Sequence, residues 1–101
     1  MDGFRPDPGR EQAGRRPALV VSSGAFTENT GLAVVCPITL RVRPFPTSVV
    51  LPSGLLVTGE ILLSHIRSMD TQARPVRYTG ATLPSAVARL VRAKLNAFIT
   101  I

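Results

Sequence analysis

Residues 9–23 read GREQAGRRPALVVSS. A polar stretch with two glycines gives way at Pro17 to the apolar run Ala18-Leu19-Val20-Val21. Such a segment is a loop that delivers Glu11, Arg15 and Arg16 to the mouth of a buried strand. Pro17 fixes its own φ and biases Arg16 towards an extended conformation, so the arginine is held at the strand entry. The strand expected over 18–22 is β-branched at its centre and apolar on both faces.

Downstream the pattern stays mainly that of short strands. Residues 24–31 read as a polar connection, with Gly31 available for positive φ after Glu28-Asn29-Thr30. Residues 32–38 form a second buried strand whose Pro37 lies near the end, where a missing ladder donor is tolerated. Thr39 follows at once. Residues 40–47, LRVRPFPT, make a basic loop in which Arg41 and Arg43 can pair with phosphates and Phe45 can stack on an unstacked base. Residues 48–51 are a strand, and 52–54 turn the chain. Residues 55–66 are apolar, with Gly59 marking a bulge or a close backbone approach. Residues 76–79 can supply a last strand. Leu83, Val87, Leu90, Val91, Leu95 and Phe98 form one stripe at helical period, so 83–99 is expected to be a helix. Pro84 suits its first turn, and Thr82 is the nearest capping candidate. Arg89, Arg92 and Lys94 are expected on its outer faces. Glu28 and Glu60 acquire no role on these grounds.

The chain has 101 residues, room for a single domain over 1–101 with an irregular segment at 1–8. Its formal charge is +6, and Lys94 is the sole lysine among the twelve basic residues, so the surface offers planar guanidinium forks to a polyanion. Cys36 is alone, which excludes an internal disulfide or a cysteine zinc cluster and fits a reducing cytoplasm. No charged-then-apolar leader and no membrane-length apolar run is present.

Gly9, Glu11, Gln12, Gly14, Arg16 and Pro17 stand at the spacing G-x-E-Q-x-G-x-R-P, which resembles the opening of the MazF/PemK family of toxin endoribonucleases. Further matches follow at Pro37-Ile38-Thr39, at Phe45-Pro46, and at Gly59, Leu62, Ile66, Arg67, Ser68 and Asp70. In the last segment Ser64 and His65 replace the Asp and Gln common in the family. Phe4 matches a Phe that ends the family's first strand. The chain starts almost where that strand would finish, so either the start lies upstream or the strand is lacking, leaving a sheet edge unpaired.

The resemblance implies a mainly β fold with a C-terminal helix, an SH3-like barrel of the MazF/CcdB type, assembled as a two-fold homodimer. It implies a toxin that cleaves single-stranded RNA without a metal or other cofactor, leaving a 2′,3′-cyclic phosphate and a 5′-hydroxyl. RNA cleavage needs a base for the 2′-hydroxyl, stabilisation of phosphate charge and an acid for the leaving oxygen. One histidine cannot share the acid and base roles, and no carboxylate cluster suggests a Mg²⁺ site. By resemblance Arg16 stabilises the phosphorane, Thr39 bonds the scissile phosphate, and Glu11 is the base or orients Arg16. Phe4, Gln12, Arg43, Phe45, His65 and Arg67 are RNA-binding candidates. The implied partner is an antitoxin with an acidic C-terminal tail. Two rivals remain at this point. One is a CcdB-like topoisomerase poison, although the Phe98-Ile99-Thr100-Ile101 ending lacks that relative's Trp-Gly-Ile. The other is a barrel that binds RNA without cutting it.

Overall fold

The computed structural model describes residues 16–74 and 76–101. Its central element is β2 (Leu32–Thr39), which is buried on both faces: Ala33 and Val35 are covered on one side, Cys36 and Ile38 on the other. β1 (Ala18–Val20) runs antiparallel along one edge, with Ala18 opposite Pro37 and Val20 opposite Val35. The ladder stops at Pro17, whose carbonyl accepts from the Ile38 N–H at 3.1 Å but which has no N–H to return the bond.

The other edge of β2 is shared by two strands. β5 (Arg67–Asp70) covers 32–35, and β4 (Glu60–Leu62) covers 38–39. A 3-10 turn, Leu63–His65, separates them. Counting one-for-one from Ile38 opposite Ile61 would set Val35 against Ser64; its partner is Arg67, three residues later. The turn absorbs that slip. Pro37 falls in the gap between the two pairings, so its missing N–H costs no ladder bond. β3 (Ser48–Val50) pairs with the far edge of β4, giving the order β1-β2-β4-β3 with β5 also on β2.

This differs from several expectations. Among the described residues the sheet is not closed into a barrel; β1 and β3 are its two ends. Within the apolar residues 55–66, turns lead to the three-residue β4 and then to the 3-10 turn. The strand expected at 76–79 is irregular chain. The polar connection is a helix, α1 (Gly24–Thr30), set by its two ends. The Ser23 hydroxyl accepts from the Phe26 N–H at 3.1 Å, and Gly31, at φ 77°, returns its N–H to Thr27 at 2.7 Å.

One sheet face makes the main core, and Ala33 and Val35 form a smaller buried cluster on the other with Ala18, Val20 and Met69. In the main core Leu19, Cys36, Ile38, Val49 and Ile61 pack with Leu63 and with Val91 of α2 (Ser85–Phe98). Leu83, Val87 and Leu95 complete the contact, whereas Leu90 and Phe98 of the expected stripe are 45% and 38% exposed and point off it. The N-cap of α2 is Pro84, without a side-chain bond, and not Thr82. No helix among the described residues is long and apolar enough to cross a membrane.

Cys36 lies in this core with no exposed surface, and burial pushes its thiol up to about 11. The thiol is therefore protonated at neutral pH, and only the thiolate is a good nucleophile. Iodoacetamide at pH 7 is expected to label native protein far more slowly than urea-unfolded protein, as mass spectrometry would record. Equal rates would contradict this packing.

Candidate active site

The face opposite the core carries the candidate catalytic pair. Hydrogen bonds from Ile38 to Pro17 and from Val21 to Val34 mark alternate positions of the β1–β2 ladder. Counting on from Pro17 and Ile38, Arg16 falls opposite Thr39 at a position without ladder bonds. At such positions Cα atoms are about 4.5 Å apart and the side chains are closest. They share the face of Ala18 and Pro37, which are also opposite one another. Arg16 is exposed and Thr39 half-buried. Continued past Pro17, the register therefore sets residue 16 against residue 39, 23 residues away in the chain, at one end of the sheet.

Thr39 also begins the basic loop. Its Oγ1 accepts from the Arg41 N–H at 3.1 Å, which fixes the oxygen and leaves the O–H to donate outward. On its other side Thr39 pairs with Glu60 of β4. Behind it stands Gly59, at φ 126°, with its backbone packed against the Thr39 carbonyl.

Arg43 and Phe45 are exposed on the 40–47 loop, beside Thr39 in the chain, and Phe45 is 68% exposed. An aromatic ring and two arginines thus stand on the loop that leaves Thr39. His65 and Arg67 are exposed as well. Arg67 sits opposite Val35, four residues along β2 from Thr39, or roughly 13 Å at the rise of a strand. Arg67 is therefore set apart from Thr39 along β2, whereas His65 lies in the turn that faces the 36–37 gap. Phe4, Glu11 and Gln12 lie outside the described residues. An apolar cavity of about 510 Å³ at the β1 edge, walled by Leu19, Leu51, Val57, Tyr78 and Leu83 among others, contains none of the candidate residues.

Three polar residues here have no counterpart in the sequence reading. Glu60, only 1% exposed, accepts from the Arg43 N–H at 2.6 Å and from the Ser48 hydroxyl. Ser48 Oγ accepts from the Phe45 N–H at 3.1 Å. Lys94 is not on an outer face of α2: its Nζ donates to the Ser48 carbonyl at 2.8 Å. A lone carboxylate inside the apolar run 59–63 and a lone lysine among arginines were the available signals.

The model of the family described as PemK-like, MazF-like toxin of type II toxin–antitoxin system matches residues 3–99. The chain is 35% identical over 96 residues to the endoribonuclease toxin MazF of Escherichia coli K12, covering 95% of this chain and 85% of that protein. It is 31% identical over 100 residues to the endoribonuclease PemK of Escherichia coli, covering 94% and 74%. Among solved structures, MazF from Deinococcus radiodurans superposes with a TM-score of 0.76 at 44% identity, covering 93% of this chain and 84% of that one. A MazE–MazF complex from the same organism gives 0.77 at 42%, covering 84% and 81%. The family model and relatives at 31–44% identity each match nearly the whole chain, and the chain belongs to the PemK-like, MazF-like toxins of type II toxin–antitoxin systems.

Proposed function

We propose that the protein is the toxin of a type II pair and acts as a metal-independent endoribonuclease on single-stranded RNA. The observation that carries the reading is the β1–β2 register, which, continued past Pro17, sets Arg16 against Thr39. A phosphodiester laid over the pair meets a charged guanidinium and an O–H donor whose oxygen is already fixed. Arg16 stabilises the charge that develops when the 2′-oxygen attacks phosphorus, and Thr39 bonds a non-bridging oxygen. Glu11 takes the 2′-proton or orients Arg16. As the O2′–P bond forms the P–O5′ bond breaks, the 5′-oxygen takes a proton from Arg16, which water then reprotonates, and the other product is a 2′,3′-cyclic phosphate. Arg41, Arg43 and Phe45 hold the strand beside the cut. Arg67 and His65 engage the RNA farther along, with Phe4 and Gln12 completing the set.

Relatives named endoribonuclease support the activity, and a related toxin solved together with its antitoxin supports such a partner here. An acidic antitoxin tail laid over a chain of charge +6 would occupy the RNA's place. The working form is a homodimer in the cytoplasm.

The test is to incubate purified protein with a long single-stranded RNA in EDTA and map the 5′ ends. Discrete cuts bearing 5′-hydroxyls, undiminished by EDTA, are expected. RNA bound with steep salt dependence yet left intact would overturn the enzyme in favour of a binding module. Poisoned gyrase supercoiling with intact RNA would overturn it in favour of a topoisomerase poison.

A further inference from the structure

We infer that Glu60 is a positioning residue that holds the 40–47 loop over the RNA-facing side of the sheet; this rests on the nuclease reading above. Glu60 pairs with Thr39 in the β2–β4 ladder and shares its face. Yet the carboxylate is 1% exposed, because the loop folds over it. One oxygen takes the Arg43 N–H at 2.6 Å, and the other takes the Ser48 hydroxyl. Ser48 in turn holds the Phe45 N–H and is gripped through its carbonyl by Lys94. The backbone of both RNA-facing residues, Arg43 and Phe45, is therefore tied through one buried carboxylate and one hydroxyl to β4, β3 and α2.

Burying a carboxylate is costly unless its oxygens are bonded. Glu60 opens β4 ahead of Ile61 and Leu62, and a leucine there would fit the same apolar run. The contacts that satisfy the carboxylate are loop contacts. Its consequence is a loop held at one height above the Thr39 hydroxyl instead of a free one, which lowers the ordering cost of RNA binding. The Glu60 carboxylate is occupied by these donors, so it does not act on the substrate.

Two variants separate positioning from chemistry and from mere fold support. Glu60→Gln keeps an acceptor for the Arg43 N–H and a polar partner for Ser48. Glu60→Leu removes both. Amide hydrogen exchange is measured without RNA, and kcat and KM with it. In Glu60→Leu the Arg43 and Phe45 amides are expected to exchange at least about tenfold faster, with β2 unchanged. KM for RNA is expected to rise on the order of tenfold, with kcat within about threefold of wild type. Glu60→Gln should stay close to wild type in each.

Unchanged Arg43 exchange in Glu60→Leu overturns the tether. Faster exchange throughout the sheet reduces Glu60 to fold support and overturns it too. A kcat lost equally in Gln and Leu would make the carboxylate catalytic and also overturn it. Wild type that leaves RNA intact defeats the nuclease reading, while the exchange measurement still decides the tether. Active wild type with an unchanged KM in Glu60→Leu defeats only the inference.

Discussion

Arg16→Ala is expected to slow RNA cleavage by about 10²–10³-fold at saturating RNA, the usual effect of removing one transition-state donor. The fold should survive, because Arg16 is exposed at the strand entry and surface truncations usually change stability by no more than about 0.5 kcal/mol. Arg16→Lys should recover little, since an ammonium lacks the planar fork that can hold two phosphate oxygens. Thr39→Ala is expected to fall in the same range, with an added loss of about 1 kcal/mol because the Arg41 N–H loses its acceptor. Thr39→Ser keeps the hydroxyl and should retain most of the rate. If both side chains serve one phosphate, their losses are coupled: the double alanine variant should fall short of the product of the two single effects. Single-turnover cleavage of an RNA with one mapped site, beside thermal unfolding of each variant, measures all of this. Full activity in folded Arg16→Ala and Thr39→Ala would remove the basis of the mechanism.

Arg16 and Thr39 were singled out through the family motif, and each lies next to a residue that marks a strand end. Pro17 terminates the ladder after Arg16, and Thr39 follows a β-branched run directly. Once 18–20 and 35–37 are antiparallel, register alone sets residue 16 against residue 39. The strands 18–20, 32–39 and 48–50 and helix 85–98 carry their own periodicity and were readable for that reason. What stayed hidden depends on partners distant in the chain. α1 has no apolar period, and its seven residues are helical because Ser23 and Gly31 cap both ends. The break between β4 and β5 is a register slip along β2, which cannot be seen within 60–70 alone. Glu60 looked like an interruption of an apolar run, since its donors come from residues 43 and 48. Lys94 was placed outward because a long stem can carry its charge back to a carbonyl on β3, and helical phase does not report that reach.

Gly59→Ala is expected to be the most damaging single-methyl change, costing about 2–4 kcal/mol of stability. Two independent terms add. At φ 126° the backbone occupies a region that side chains rarely adopt. A methyl on Gly59 would also overlap the Thr39 carbonyl oxygen and crowd Ile38 Cγ2 at 3.1 Å. The obstacle is backbone, so no rotamer change relieves it. Gly59 cannot easily move away either, because its carbonyl accepts from the Leu51 N–H at 2.8 Å. Relief has to come from the end of β2, the segment that carries Thr39 on one side and the core residue Ile38 on the other. For a domain of this size the loss corresponds to a melting temperature lower by roughly 10–25 °C. Below that temperature the variant should also cleave more slowly than its folded fraction accounts for, because the hydroxyl is displaced from Arg16. A control methyl at Gly24, where a Cβ meets nothing within 4 Å, should change neither quantity appreciably. Thermal melts and single-turnover rates on the two alanine variants provide the comparison. A Gly59→Ala protein that melts and cuts like wild type would mean that β2 and β4 do not approach this closely beside Thr39, and the proposed seating of the hydroxyl would fall with that contact.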